Sequence, residues 1–282
     1  MMRRHAPTFV TLLGGLKLHY RIQGTPGAPW MVMLNGLLSD TTMWAGVIPG
    51  LSDHFRILTL DGRGQGKSDV PSGEPYTPGL LAEDAWEVFN LLGIERPWLV
   101  GLSNGSNVAL ELLAAHPGAF AGGVLISSVP HIDFTIGLRI QHWIHCLDTG
   151  GLLMQFDAVA PYLWGDAFLQ KRYAVLRAFN QVVMGQKPRE DSEDPHLGLR
   201  HQVLGILGWD IRTRLDAVQV PLLLLAGAED LLTPPWKCLE TAKLIPSARF
   251  EVIPGVGHSY PVETPKACAD RILEFVTQIA RN

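Results

Sequence analysis

Short apolar runs alternate with amphipathic stretches along most of this chain, and that alternation limits what it can fold into. Residues 31–34, 56–60, 98–102, 123–127, 221–226 and 250–253 hold too few polar side chains to present a wet face, so they read as strands buried on both sides. Between such runs, Trp44, Val47, Ile48 and Leu51 fall at i, i+3, i+4 and i+7, and Leu81, Ala85, Val88 and Leu92 repeat a stripe of the same kind. Strand, crossover helix and strand is the repeating unit of a mostly parallel sheet. Upstream, residues 8–13 and 16–22 flank Gly14-Gly15, a hairpin signal, so the sheet is expected to open with antiparallel strands, bringing the total to about eight. A closing helix is expected from Thr264, with Pro265 in its first turn and Ile272, Leu273, Val276, Ile279 and Ala280 along one stripe.

The alternation fails between residues 130 and 216. That stretch reads as helix rich in large apolar residues, among them Ile140, Trp143, Phe156, Tyr162, Trp164 and Phe168, and is interrupted by QKPREDSEDPHLG at 186–198, read as a solvated loop. A length of 282 residues suits one α/β domain carrying an insertion. The expected organisation is therefore a core from residues 1–129 and 217–282, with a helical cap, 130–216, inserted between the sixth and seventh strands.

Composition excludes several function classes. With 47% hydrophobic residues and a formal net charge of −4, the chain is not disordered and offers no basic field to attract nucleic acid or an anionic membrane. No run approaches the ~18 apolar residues of a spanning helix, and residues 8–13 are too short for a secretory core, so no membrane insertion is expected. The three cysteines, Cys146, Cys238 and Cys268, show no CxxC spacing and fit reduced thiols in a cytoplasmic protein. His142, His145 and Cys146 lie close together without a carboxylate or second cysteine at ligand spacing, so neither a metal nor a cofactor is expected. Oligomeric state leaves no signature here.

Chemistry enters at PWLVGLSNGSNVALELLAAHPG, residues 97–118. An apolar strand runs into Gly101-Leu102-Ser103-Asn104-Gly105 and then a helix, the strand-turn-helix context in which G-x-S-x-G exposes a nucleophilic serine. So sharp a turn strains the serine backbone, and the flanking glycines leave it room. A serine hydroxyl needs a base to take its proton and a carboxylate to orient that base. His258 stands in a Gly-rich loop before the last helix, and AGAEDLLTP places Asp230 just past a strand; neighbouring Glu229 is the alternative acid, which the register disfavours. A second glycine-rich segment, DGRGQGKSD at 61–69, imitates a phosphate loop but is not one. Counting back from Gly66-Lys67-Ser68, the first glycine of G-x-x-x-x-G-K-[ST] falls on Asp61, and the dinucleotide spacing fails at Lys67. Asp61, Arg63 and Ser68 are expected to hydrogen-bond within that turn.

Five segments in register resemble the α/β-hydrolase superfamily over nearly the whole chain: LNGLLSDTTMW at 34–44, DGRGQGKS at 61–68, GLSNG at 101–105, GAEDLLTP at 227–234 and GVGHSYPVE at 255–263. Within it the chain looks most like the enol-lactonase, esterase and cofactor-free haloperoxidase branch. The resemblance implies an eight-stranded sheet with a helical cap, and an oxyanion hole built from the backbone N–H groups of Leu37 and Asn104. Most of that branch has His-Gly where this chain has Asn35-Gly36, an Asn-Gly that also resembles the acyltransferase joining 3-hydroxyacyl chains in rhamnolipids. Asn35 is expected either to tune the oxyanion hole or to hold its loop. Asn35, Trp143, Phe156 and Trp164 are candidates to line a substrate pocket. The expected activity is a serine hydrolase cleaving a small-molecule ester, lactone or thioester with an apolar acyl part through an acyl-enzyme on Ser103. Alternatives are an acyltransferase using a hydroxyl or thiol acceptor, and a hydrolase-fold ligand receptor with slow turnover.

Overall fold

The structure, a computed structural model, describes residues 8–184 and 194–281. Most of the charged 186–198 stretch therefore lies outside the described residues. Among those described, eight strands form one sheet: β1 (Thr8–Thr11), β2 (Lys17–Gly24), β3 (Trp30–Leu34), β4 (Arg56–Leu60), β5 (Trp98–Leu102), β6 (Gly122–Ile126), β7 (Leu222–Gly227) and β8 (Ala248–Ile253). Their order is β1-β2-β4-β3-β5-β6-β7-β8. The β1-β2 hairpin is antiparallel, β2 meets β4 antiparallel, and every later pairing is parallel.

Helices cover both faces, which explains why the central strands carry no polar alternation. Val32 and Leu34 face a core shared with α1 (Pro78–Leu92) and α2 (Asn104–Ala115). Met31 and Met33 face the opposite core, with Ile272, Phe275 and Val276 of the closing helix α8 (Pro265–Ala280). Here α3 spans Phe134–Leu163, α4 Asp166–Met184, α5 Leu197–Ile206, α6 Pro235–Leu244 and α7 Tyr260–Glu263.

One expected helix takes another form. Trp44, Val47, Ile48 and Leu51 bury their apolar stripe as the spacing requires, but the backbone runs as two short 3-10 turns, Thr41–Trp44 and Ile48–Gly50. Pro49 supplies no N–H to continue a ladder. Gly46 and Gly50 also let the segment lie directly on α8, where a Cβ would come within 2.8 Å of Pro265 and 2.7 Å of Ala269.

Between β6 and β7 run α3, α4, α5 and a 3-10 turn at Arg212–Ala217. The chain leaves and rejoins the sheet through a narrow neck: Ile132 N–H donates to Trp209 O (2.9 Å), Ile211 N–H to Pro130 O (3.0 Å), and His131 bridges Asp210. The long α3 is broken at Gly151, whose φ of 69° and ψ of −168° no helix accommodates. Apolar side chains of this helical segment, including Ile136, Trp143, Val159 and Val203, form a third core with Ala226 near the end of β7 and with Leu37, Leu38 and Leu232 from loops after the strands.

Candidate active site

The order of the strands decides where chemistry can collect. β3 lies between β4 and β5, so the chain crosses over it and the loops after β3 and β5 emerge side by side, with Leu34 paired to Gly101. In open α/β sheets such a reversal point, at the carboxyl ends of the strands, is where ligands bind.

Ser103 follows β5 directly and takes φ 54° and ψ −118°. A side chain two residues to either side of it is sterically blocked: a Cβ on Gly101 would approach Gly105 O to 2.6 Å, and one on Gly105 would approach Leu34 O to 2.2 Å. The turn is pinned by Ser103 N–H donating to Ile126 O at the end of β6 (2.8 Å). The first helical bond of α2 is donated by Ser106 to Ser103 O, so the Asn104 N–H precedes the ladder and belongs to the free donors of a helix N-terminus. Gly36 packs against the same turn, its Cβ position 3.6 Å from Ser103 Cβ, which places the Gly36–Leu37 peptide beside the serine.

Asp230 and His258 form a buried pair, 1% and 2% exposed, joined by Oδ2 and Nδ1 at 2.8 Å. Asp230 is saturated: Oδ1 accepts the Leu232 and Thr233 N–H groups (2.9 and 2.8 Å), and Oδ2 also accepts the Thr233 hydroxyl (2.9 Å). A carboxylate so held has no freedom to rotate, and it fixes the imidazole with its proton on Nδ1 and Nε2 as the basic nitrogen. The backbone carbonyl of His258 accepts from Ser127 Oγ (3.1 Å), tying the histidine loop to β6, the neighbour of the serine-bearing strand. Glu229, the alternative acid, points elsewhere: its Oε2 accepts the Asp166 N–H (2.8 Å) at the start of α4. Glu263 does the same from the other side, accepting the Gly257 and Gly165 N–H groups (2.9 and 3.2 Å), and burial raises its pKa.

The other expected pocket residues are distributed differently. Asn35 is buried, donates to Leu60 O (2.9 Å) and Gln65 Oε1 (3.3 Å), and accepts from Trp44 Nε1 (3.0 Å). Both ends of its amide are thus engaged by the scaffold around its loop. Trp143 joins the core that includes Leu37 and Leu232, whereas Phe156 makes its ring contacts with Trp164 (5.7 Å) and Tyr173 (6.0 Å) along the α3–α4 contact. In the glycine-rich turn, Ser68 Oγ donates to Asp61 O as expected, but Arg63 reaches out of the turn to chelate Asp84 of α1 (2.6 Å for both bonds). All three cysteines are free and buried, and among the described residues no group of three His, Cys, Asp or Glu could hold a metal ion. Nor is any described helix long and apolar enough to cross a membrane.

Residues 29–265, most of the chain, match the alpha/beta hydrolase fold family. The chain belongs to that family. The hydrolase is 27% identical to the enol-lactonase of Burkholderia xenovorans, with a TM-score of 0.80 and coverage of 96% of this chain and 100% of that one. Against a thermophilic esterase from Thermogutta terrifontis it is 26% identical, with a TM-score of 0.82 and coverage of 98% and 99%. A Caulobacter protein carrying the provisional name carbamate hydrolase is 26% identical over 92% of this chain and 96% of its own length. The expected family is thus shown, and an enol-lactonase and an esterase are among the proteins this chain resembles.

Three residues that hydrogen-bond to the hydrolase's Asp–His pair or to the glycine-rich turn escaped the reading of its sequence. Thr233 bonds both Asp230 and His258 Nδ1 (3.1 Å), and its signal was legible as an Asp-x-x-Thr turn, in which an aspartate accepts N–H groups two and three residues ahead. Ser127 and Gln202 gave no local signal, because their partners are 131 and 137 residues away.

Proposed function

We propose that this hydrolase cleaves carboxylic esters, lactones or thioesters with an apolar acyl part by an acyl-enzyme route. The observation that carries the reading is the buried, four-times hydrogen-bonded Asp230 paired with His258, whose loop is tied to the end of β6, the strand next to the one that leads into the strained turn at Ser103. In this mechanism His258 Nε2 takes the Ser103 hydroxyl proton as Oγ attacks the substrate carbonyl, and the proton passes to the leaving alcohol or thiol. Asp230 stabilises the imidazolium formed in between. The N–H groups of Leu37 and Asn104 receive the oxyanion, each worth about 3 kcal/mol in comparable sites. Water, activated by the same histidine, then releases the acid.

The helical segment, residues 130–216, serves as the cap: its third core closes over the strand ends with side chains that favour an apolar acyl group. Names of relatives point the same way, since an enol-lactonase and an esterase are among them, and the provisional carbamate hydrolase adds carbamates to the panel worth assaying. We place the enzyme in the cytoplasm as a small-molecule hydrolase.

The test is Ser103→Ala on p-nitrophenyl acyl esters, followed by a panel of esters, lactones, acyl thioesters and carbamates. The variant should lose activity by roughly 10⁴-fold or more. Full activity in Ser103→Ala would sink the mechanism. An acyl thioester assayed with and without a hydroxyl acceptor separates hydrolysis from transfer, and stoichiometric labelling of Ser103 without turnover would mark a receptor instead.

A further inference from the structure

The glycine-rich turn carries one side chain whose bonds lead straight to the oxyanion donor. Gln65 is 7% exposed and uses every hydrogen-bonding position of its amide. Oε1 accepts the Gly62 N–H (3.1 Å) and Asn35 Nδ2 (3.3 Å), while Nε2 donates to Gly36 O (3.0 Å) and to Gln202 Oε1 (3.2 Å). Gly62 N–H can only donate and Gly36 O can only accept, so the amide has a single orientation. Gln202, 2% exposed on α5 of the cap, in turn donates to Gly64 O (2.9 Å), and Gly198 at the start of α5 packs against Gly64, where a Cβ would meet Gly64 O at 2.6 Å.

Gly36 O and the Leu37 N–H are opposite ends of one planar peptide unit. Gln65 and Ser39 Oγ (2.9 Å) both donate to that carbonyl. Two donors on the oxygen fix the rotation of the peptide, and with it the direction in which the N–H points, and they polarise the N–H into a better donor. The loop needs such anchoring, because Leu38, two residues past Gly36, takes a φ of 59°, a left-handed conformation that leucine rarely adopts unaided.

We propose that Gln65 is the positioning residue for the oxyanion donor on Leu37, and that Gln202 makes its alignment depend on the seating of the cap. This rests on the acyl-transfer reading above. Gln65 itself does not touch substrate; it acts through the peptide it holds. With the cap seated, the chain Gln202–Gln65–Gly36 is complete and the donor is aimed at the developing charge; with α5 displaced, Gln65 loses one of its two acceptors and the peptide is free to rotate.

The experiment compares wild type with Gln65→Ala, Gln65→Glu and Gln202→Ala, recording kcat, KM, circular dichroism and the affinity for phenylboronic acid, which forms a tetrahedral adduct on an active serine. Gln65→Ala is expected to lower kcat by roughly 10- to 100-fold, with KM nearly unchanged and boronate affinity falling in proportion. Gln65→Glu keeps the length and the acceptor half but cannot donate to Gly36 O at neutral pH, so it should do no better than alanine. Gln202→Ala should show the same pattern at about 3- to 10-fold. Should either Gln65 variant fail to fold, Gln202→Ala alone decides. Folded variants with wild-type kcat and boronate affinity would overturn the proposal, and a Gln202→Ala that alters KM alone would overturn the link to the cap. A wild-type enzyme that forms no adduct at Ser103 would instead overturn the acyl-enzyme reading, so the two failures are distinct.

Discussion

In the proposed mechanism Asp230 and Thr233 divide a single task, and substitution separates their shares. Asp230→Asn removes the charge that stabilises the imidazolium and permits the wrong tautomer, so kcat should fall by about 10⁴-fold. Thr233→Val leaves that charge in place but deletes the hydroxyl bond to Oδ2, and a loss of roughly tenfold is expected, as for one hydrogen bond to a charged group. Steady-state kinetics on one activated ester distinguishes them; equal losses would mean that Thr233 does more than hold the carboxylate. At the turn itself, Gly105→Ala drives a methyl to 2.2 Å from Leu34 O, a backbone atom that cannot step aside. Urea unfolding should show a destabilisation of about 3 kcal/mol.

The elements were legible where hydrophobic period and chain order carry the information, and less so where backbone detail or distant partners decide. All eight strands were readable because each is a short apolar run between turn signals, with no edge shifting by more than two residues. The stripe at Trp44, Val47, Ile48 and Leu51 identified the buried face correctly but not the 3-10 backbone, which Pro49 and the contact with α8 impose. Arg63 was assigned to its own turn because a sequence displays neighbours, whereas its carboxylate partner Asp84 lies on a helix 21 residues away. Of the candidate site, Ser103, Asp230 and His258 stood out through motif and order; Gln202 and Ser127 did not, since the bonds Gln202–Gln65 and Ser127–His258 span more than a hundred residues, and Gln65 did not, since its bond to Gly36 spans 29.

One element carries a pH signature. At the neck, Arg212 lies against Asp210 (2.6 Å) and its hydrogen bond holds that carboxyl down at about 2. A folded value below the unfolded one near ~3.9 means that the pair stabilises the fold above that value and ceases to do so as pH falls toward 2. Both partners are more than two-fifths exposed, so screening keeps the effect small. The difference in urea midpoint between wild type and Asp210→Asn should be constant above about pH 5 and shrink below about pH 4; a difference independent of pH would assign no stability to the pair.

Across the whole molecule, burial predicts an uneven distribution of stability. Every residue of β5 is buried, and ten of the twelve residues of α2 are. Along α4, none of the side chains from Asp166 to Arg177 is buried. Native-state hydrogen exchange should therefore find α4 amides opening at a free energy several kcal/mol below that of β5. Uniform protection would mean that the cap and sheet unfold as one unit.

The neck at His131 and Asp210 has a consequence for how this scaffold can be altered. Residues 132 and 209 are joined by one hydrogen bond, so everything between them begins and ends at nearly the same point in space. The sheet registers β6 against β7 through their own ladder, Gly123 to Leu222 through Ile126 to Leu225, without reference to what the intervening chain does. Closing a loop twice as long costs only about 0.6 kcal/mol more. The segment is thus a replaceable cartridge: if it caps the site as proposed, substrate range can be rewritten between those two positions while the sheet below keeps its register.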